Sequence, residues 1–194
     1  MKIAVFGGSF NPVHNGHVNL AETVHKTLGY DRIVFVPAFR SPFKELPEGA
    51  SNEDRIAMLK LALEGREWAW IETCEIERKD VSYTSDTIGF LTEKYRKEGI
   101  LDGKLGLLIG ADLAEGFSRW HCVEKLIAMT DIILARRNKD EKPSFAYDCI
   151  YVDNELYAGA SSEIRAAVKN DIYLQSVLPD KVYEYILQRG LYGI

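Results

Sequence analysis

Cysteine is scarce in this chain and carries no pattern. Cys74, Cys122 and Cys149 are odd in number and widely spaced, with no CxxC pair and no Cys/His ligand spacing. That argues against a zinc site or a disulfide framework and predicts free, buried thiols in a cytoplasmic protein. Positive charge is not in surplus either. Twenty-four Lys and Arg against 29 Asp and Glu leave a net charge of -5, which speaks against nucleic acid or an anionic membrane as the main partner. An anionic small molecule is not excluded, because it feels only the basic groups of its own pocket. No apolar run reaches about 18 residues, so no transmembrane span is expected. No basic-plus-apolar signal region precedes the first strand. Repeats and low-complexity tracts are also missing.

What is present fits one domain. At 194 residues, with 46% hydrophobic and 27% charged content, the chain can build a core without metal or disulfide staples. Residues 1–194 are read as a single unit, with a C-terminal helical part from about 160 packed on it. Short apolar runs recur at 2–6, 32–37, 70–76, 105–110, 131–136 and 149–153, a pattern suited to strands buried on both faces. Helical patterns lie between them. His17, Ala21, Val24 and Leu28 share a stripe within 16–28. Ser51 and Asp54 resemble a capping box before 54–63. Ile88, Leu91 and Tyr95 share a face within 84–97. Near the end, Pro179 and Gly190 bracket a further helix. Alternating strand and helix predicts an α/β fold, a doubly wound Rossmann-like parallel sheet with C-terminal helices. In such sheets ligands bind beyond the carboxyl ends of the strands.

The segment just past the first strand, "GGSFNPVHNGH" (7–17), therefore stands where a ligand is expected. Gly7 and Gly8 permit close backbone approach and positive φ. Pro12 disfavours helix at Asn11, so a helix is predicted to begin near Gly16 with free N–H groups facing an anion. His14 in the loop and His17 in the first turn can point into one crevice. An ordinary turn, with one solvent-facing and one core histidine, is the plainer alternative. The stretch is neither a Walker loop nor GxGxxG.

"HNGH" resembles the histidine pair of the HxGH nucleotidyltransferases. Further blocks are similar to the nicotinate-nucleotide adenylyltransferase family in the same order: "VPAFRSPFK" (36–44), "DRIAMLKLAL" (54–63), "SYTSDTI" (82–88), "IGADLAEGFSRWH" (109–121) and "SSEIRAAV" (161–168). The resemblance implies transfer of AMP from MgATP to nicotinate mononucleotide, giving deamido-NAD and pyrophosphate for NAD biosynthesis. The implied chemistry is direct in-line attack, which mainly needs positioning and charge neutralisation. It implies catalytic or phosphate-contacting roles for His14, His17, Lys44 and Arg165. It places ATP against Gly7, Gly8, Ser9, Phe10, Gly16, Gly110, Asp112, Arg136, Ser161, Ser162 and Ile164, and the acceptor against Tyr83, Thr84 and Trp120. Magnesium would arrive with ATP, since no protein carboxylate cluster is evident.

Read from the residues alone, several of these positions keep a second meaning. Ser161 or Ser162 can cap a helix whose Arg165 is a surface residue. Asp112 suits ribose hydroxyls or a helix cap equally. Trp120 can be plain core, and Arg136 or Lys44 plain surface. His25 and His121 draw no site assignment. The chain also departs from the family pattern. Phe43 stands where a histidine is usual, Ala160 and Ser162 replace a serine and a threonine, and Arg136 precedes "RNKDEK" instead of Pro-Gly. The segment 137–148 reads as a charged loop. Other acceptors (nicotinamide mononucleotide or phosphopantetheine) and a non-catalytic nucleotide-binding module are the alternatives, and a homo-oligomer stays open.

Overall fold

The computed structural model describes residues 1–39, 49–136, 145–154 and 159–193. Six strands form one sheet: β1 (Ile3–Gly8), β2 (Arg32–Pro37), β3 (Ala69–Ile71), β4 (Leu105–Gly110), β5 (Thr130–Ala135) and β6 (Ile150–Val152), in the order β3-β2-β1-β4-β5-β6. Every pairing is parallel. The topology reverses between β1 and β4, where a doubly wound sheet opens its crevice.

Alternation along the strands sorts the core into two layers. Ala4, Phe6, Ile33, Phe35, Leu108 and Ile133 pack on one face with Val18, Ala21 and Val24 of α1 (Asn15–Leu28), Met58 and Leu59 of α2 (Asn52–Ala62) and the C-terminal helices. Ile3, Val5, Val34, Leu105, Leu107 and Ile132 pack on the other with Ile88, Leu91 and Tyr95 of α4 (Thr84–Lys97) and Leu126 of α5 (Val123–Met129). The runs are continuous because both faces are covered. The C-terminal part comprises α6 (Ser161–Ala166), α7 (Asp171–Val177) and α8 (Asp180–Arg189). As expected from its position, Gly190 ends α8 in the left-handed region (φ 60). Ser51 caps α2 reciprocally with Asp54: each backbone N–H donates to the other's side chain at 3.1 Å.

One strand is shorter than its apolar run implies. Of residues 70–76 only Trp70 and Ile71 are extended: β3 ends at Ile71 and Cys74–Arg78 is a short helix, α3. The reason lies in Glu75. Its carboxylate is buried and accepts from the Thr87 hydroxyl at 2.7 Å, tying α3 to α4. Burial pushes that carboxyl above its ordinary range, against the Thr87 bond and the Arg78 and Arg55 charges. The thiols also differ from expectation, since Cys74 is buried, Cys149 half-buried and Cys122 exposed.

Gly106 marks where β4 has no room. A Cβ there would lie 2.7 Å from Tyr30 Cε1 and 2.8 Å from Ile133 Cδ1. Gly106→Ala is therefore expected to lower the unfolding free energy by about 1–3 kcal/mol, as overpacking does, measured as a lower urea midpoint at unchanged slope.

Candidate active site

The carboxyl edge of the sheet is built first by β1 and the loop that leads from it into α1. Gly7 and Gly8 are not a turn: β1 runs through both, paired with Val36 and Pro37, and neither takes a positive φ. The left-handed conformation falls on Phe10 (φ 46), whose ring lies where a side chain at Gly8 would stand, 3.1 Å from an added Cβ. Packing overrides local preference here: the missing side chain makes room for the aromatic ring. At Gly7 nothing lies within 4 Å of such an atom, so backbone there is open to close approach. The Asn11–Pro12 peptide is cis.

The helix then starts at Asn15, one residue earlier than expected, with His14 as its extended N-cap (φ -142, ψ 170). His14 O accepts from His17 N–H and Val18 N–H, which leaves the Asn15 and Gly16 amides outside the helical ladder. No acidic side chain occupies the first turn, so the positive dipole end is not neutralised from within. His17 Nδ1 accepts from the His14 backbone N–H at 3.3 Å. That bond puts the proton of the neutral ring on Nε2. The His17 ring is held 5.1 Å from Phe10, 5.8 Å from Phe6 and 3.7 Å from the His14 ring, centre to centre.

The start of α6 docks directly on this loop. Ser161 Oγ donates to Pro12 O at 3.0 Å and Arg165 Nη1 to Asn11 O at 2.7 Å. The capping role read for Ser161 or Ser162 does not occur. Ala160 is the N-cap, its N–H given to Glu163 Oε2 at 3.0 Å, and Ile164 is buried beneath the turn. These two bonds span 149 and 154 residues of sequence, and they bring α6 to the same edge as His14 and His17.

A second group lies beyond β4 and at the start of α4. Parallel strands force the intervening helices to run backwards, so α4 also begins at the carboxyl edge. Tyr83 is its N-cap, and Tyr83 O accepts from Asp86 and Thr87, leaving the Thr84 and Ser85 amides outside the ladder. Gly110 ends β4 and Asp112 sits exposed in the following 3-10 turn. Trp120 is half-buried, its ring 5.0 Å from Phe117. His121 stacks on Tyr83 at 4.3 Å and 28°, with Nδ1 3.2 Å from Ser85 Oγ. It therefore joins the tryptophan block to the Tyr83–Thr84 block, although the sequence offered no partner for it. Arg136 directly follows β5, where its backbone is paired with the Asn154 side chain and its guanidinium lies 3.4 Å from Asp153. Lys44 and Phe43 lie outside the described residues, as do 137–144.

Arg55 is the other group that sequence reading passed over. It is 1% exposed, yet its guanidinium donates to Ser9 O (2.6 Å), Ala38 O (2.7 Å) and Asn52 Oδ1 (2.6 Å). Burial lowers its pKa from the ordinary arginine value, opposed by Tyr192, Glu53 and Glu75. One planar fork so ties the loops after β1 and β2 to α2. Its only sequence signal was an arginine on the apolar side of a capped helix.

Fold and edge together define a nucleotidyltransferase: the Cytidylyltransferase-like family model matches residues 5–170. Within that class, the chain is 38% identical to a protein of Treponema pallidum over 99% of both chains, and 36% identical to one of Borreliella burgdorferi over 99% of this chain and 97% of that one. Both are named probable nicotinate-nucleotide adenylyltransferase. The chain belongs to the nicotinate-nucleotide adenylyltransferase family. Its fold also matches that of Plasmodium falciparum nicotinic acid mononucleotide adenylyltransferase, solved in complex with NaAD, with a TM-score of 0.79 at 19% identity, over 98% of this chain and 97% of that one.

Proposed function

We propose that the protein transfers the adenylyl group of MgATP to nicotinate mononucleotide, forming deamido-NAD and pyrophosphate in NAD biosynthesis. The observation that carries this reading is the full-length relatedness to proteins named for that activity. The edge geometry supports it. A phosphate oxygen of the mononucleotide attacks the α-phosphorus, the bond to the β-phosphate breaks, and pyrophosphate leaves; no covalent enzyme intermediate is needed.

In this reading the Asn15 and Gly16 amides, His14, His17 and Arg165 receive the triphosphate, with Ser161 and Ser162 beside them and Lys44 joining from its loop. Gly7 and Gly8 lie under the nucleotide, with Ser9, Phe10, Gly110, Asp112, Ile164 and Arg136 completing its surroundings. The Thr84 and Ser85 amides meet the acceptor carboxylate, and the Trp120 indole stacks on the electron-poor ring. Magnesium enters as MgATP. Among the described residues no group of three or more His, Cys, Asp or Glu is placed to hold a metal. Among the same residues no helix is long and apolar enough to cross a membrane.

Trp120 separates acceptor binding from ATP binding. Trp120→Ala is expected to raise the KM for nicotinate mononucleotide roughly tenfold, the scale of one lost aromatic stack, with the KM for ATP unchanged. Steady-state pyrophosphate release, with each substrate varied in turn, checks this. An equal rise in both KM values would remove Trp120 from the acceptor site.

A further inference from the structure

The chain end approaches the β1 loop from behind. After α8, Leu191–Gly193 forms a 3-10 turn in which Leu191 is buried and Tyr192 takes the left-handed conformation (φ 64, ψ 10). A non-glycine residue holds that conformation only where its surroundings compensate. Here the compensation is visible. The Tyr192 hydroxyl donates to Asn11 Oδ1 at 2.6 Å, and Asn11 is 1% exposed. The ring fills the space at Gly49, where an added Cβ would come within 2.8 Å of Tyr192 Cδ1.

Asn11 is the residue on which the loop turns. Its carbonyl accepts from Arg165 and its side chain from Tyr192. Phe10 before it is left-handed, and His14, three residues on, caps α1. Ser9, two residues back, is fixed by Arg55. The hydroxyl of Tyr192 is thus a side-chain anchor at the centre of a segment whose backbone accepts from two arginines.

We propose that Tyr192 is a positioning residue for ATP: by holding Asn11, it keeps the 9–14 loop, His14 and the α1 N-terminus in the geometry that receives the triphosphate. The proposal rests on the reading of that loop as the ATP site. It concerns no contact between Tyr192 and substrate.

Calorimetric titration with MgATP alone, together with steady-state kinetics, tests this on the wild type, Tyr192→Phe, Asn11→Ala and the double variant. Tyr192→Phe removes only the hydroxyl. It is expected to weaken ATP binding and raise the ATP KM about fivefold, the scale of one net hydrogen bond, with the acceptor KM unchanged. The double variant should bind ATP no more weakly than Asn11→Ala alone, because the two groups act as one pair. Wild-type ATP constants in Tyr192→Phe overturn the proposal, and so do additive losses in the double variant. A fall in the melting temperature with both substrates affected equally also overturns it, since that marks a structural role. Should Asn11→Ala fail to fold, Tyr192→Phe decides by itself. A wild type that binds no MgATP overturns the functional reading and this proposal with it; a wild type that binds, matched by Tyr192→Phe, overturns this proposal alone.

Discussion

His17→Ala is expected to lower kcat by roughly 100- to 1000-fold, the usual effect of deleting one preorganised donor to developing charge. The dissociation constant for ATP should change by less than about tenfold, because such a donor acts chiefly in the transition state. The geometry behind this is specific. Nδ1 takes the His14 N–H, so the neutral ring carries its proton on Nε2, and three aromatic rings hold the imidazole in place. The donor is therefore oriented before substrate arrives. Rapid-quench measurement of pyrophosphate release, beside calorimetric ATP binding, separates the two effects. Unchanged release in the variant would remove His17 from the chemistry.

Arg55→Met should produce the largest loss of stability, about 3 kcal/mol, since three oxygens lose a charged donor and each unsatisfied buried acceptor costs on the order of 1 kcal/mol or more. Two of these acceptors are backbone carbonyls, Ser9 O and Ala38 O, and these follow β1 and β2 directly. The same substitution is therefore expected to raise the KM for ATP as well. Arg55→Lys should recover little of either, because an ammonium cannot span the fork's three partners. Urea denaturation gives the first quantity and steady-state kinetics the second. A stability within about 0.5 kcal/mol of wild type, the range of ordinary surface changes, would show that these hydrogen bonds do not hold the loops.

The sheet was largely legible because its strands are buried on both faces. β2 and β4 run over the residues their apolar runs predict, and α4 spans 84–97 as its stripe implies. Reading failed where distant partners decide. "WIETCEI" carries strand composition, yet Glu75 turns inward to Thr87 and the chain coils into α3. At "GGSF" the glycines advertise a turn, but the ring of Phe10 takes the space above Gly8 and carries the positive φ itself. His14, His17 and Arg165 were singled out because "HNGH" and "SSEIR" are short blocks that resemble a family pattern. Arg55, His121 and Tyr192 were not. Their partners lie 46, 36 and 181 residues away, and no local pattern encodes such pairings.

Product analysis bears most directly on the central claim. The protein is mixed with MgATP and either nicotinate or nicotinamide mononucleotide, and the adenylylated products are resolved chromatographically alongside a pyrophosphate assay. The expected result is deamido-NAD and pyrophosphate in equal amounts, dependent on both substrates, with the higher kcat/KM for nicotinate mononucleotide. A higher kcat/KM with the nicotinamide acceptor would contradict the acceptor assignment, and no dinucleotide from either would contradict adenylyl transfer itself.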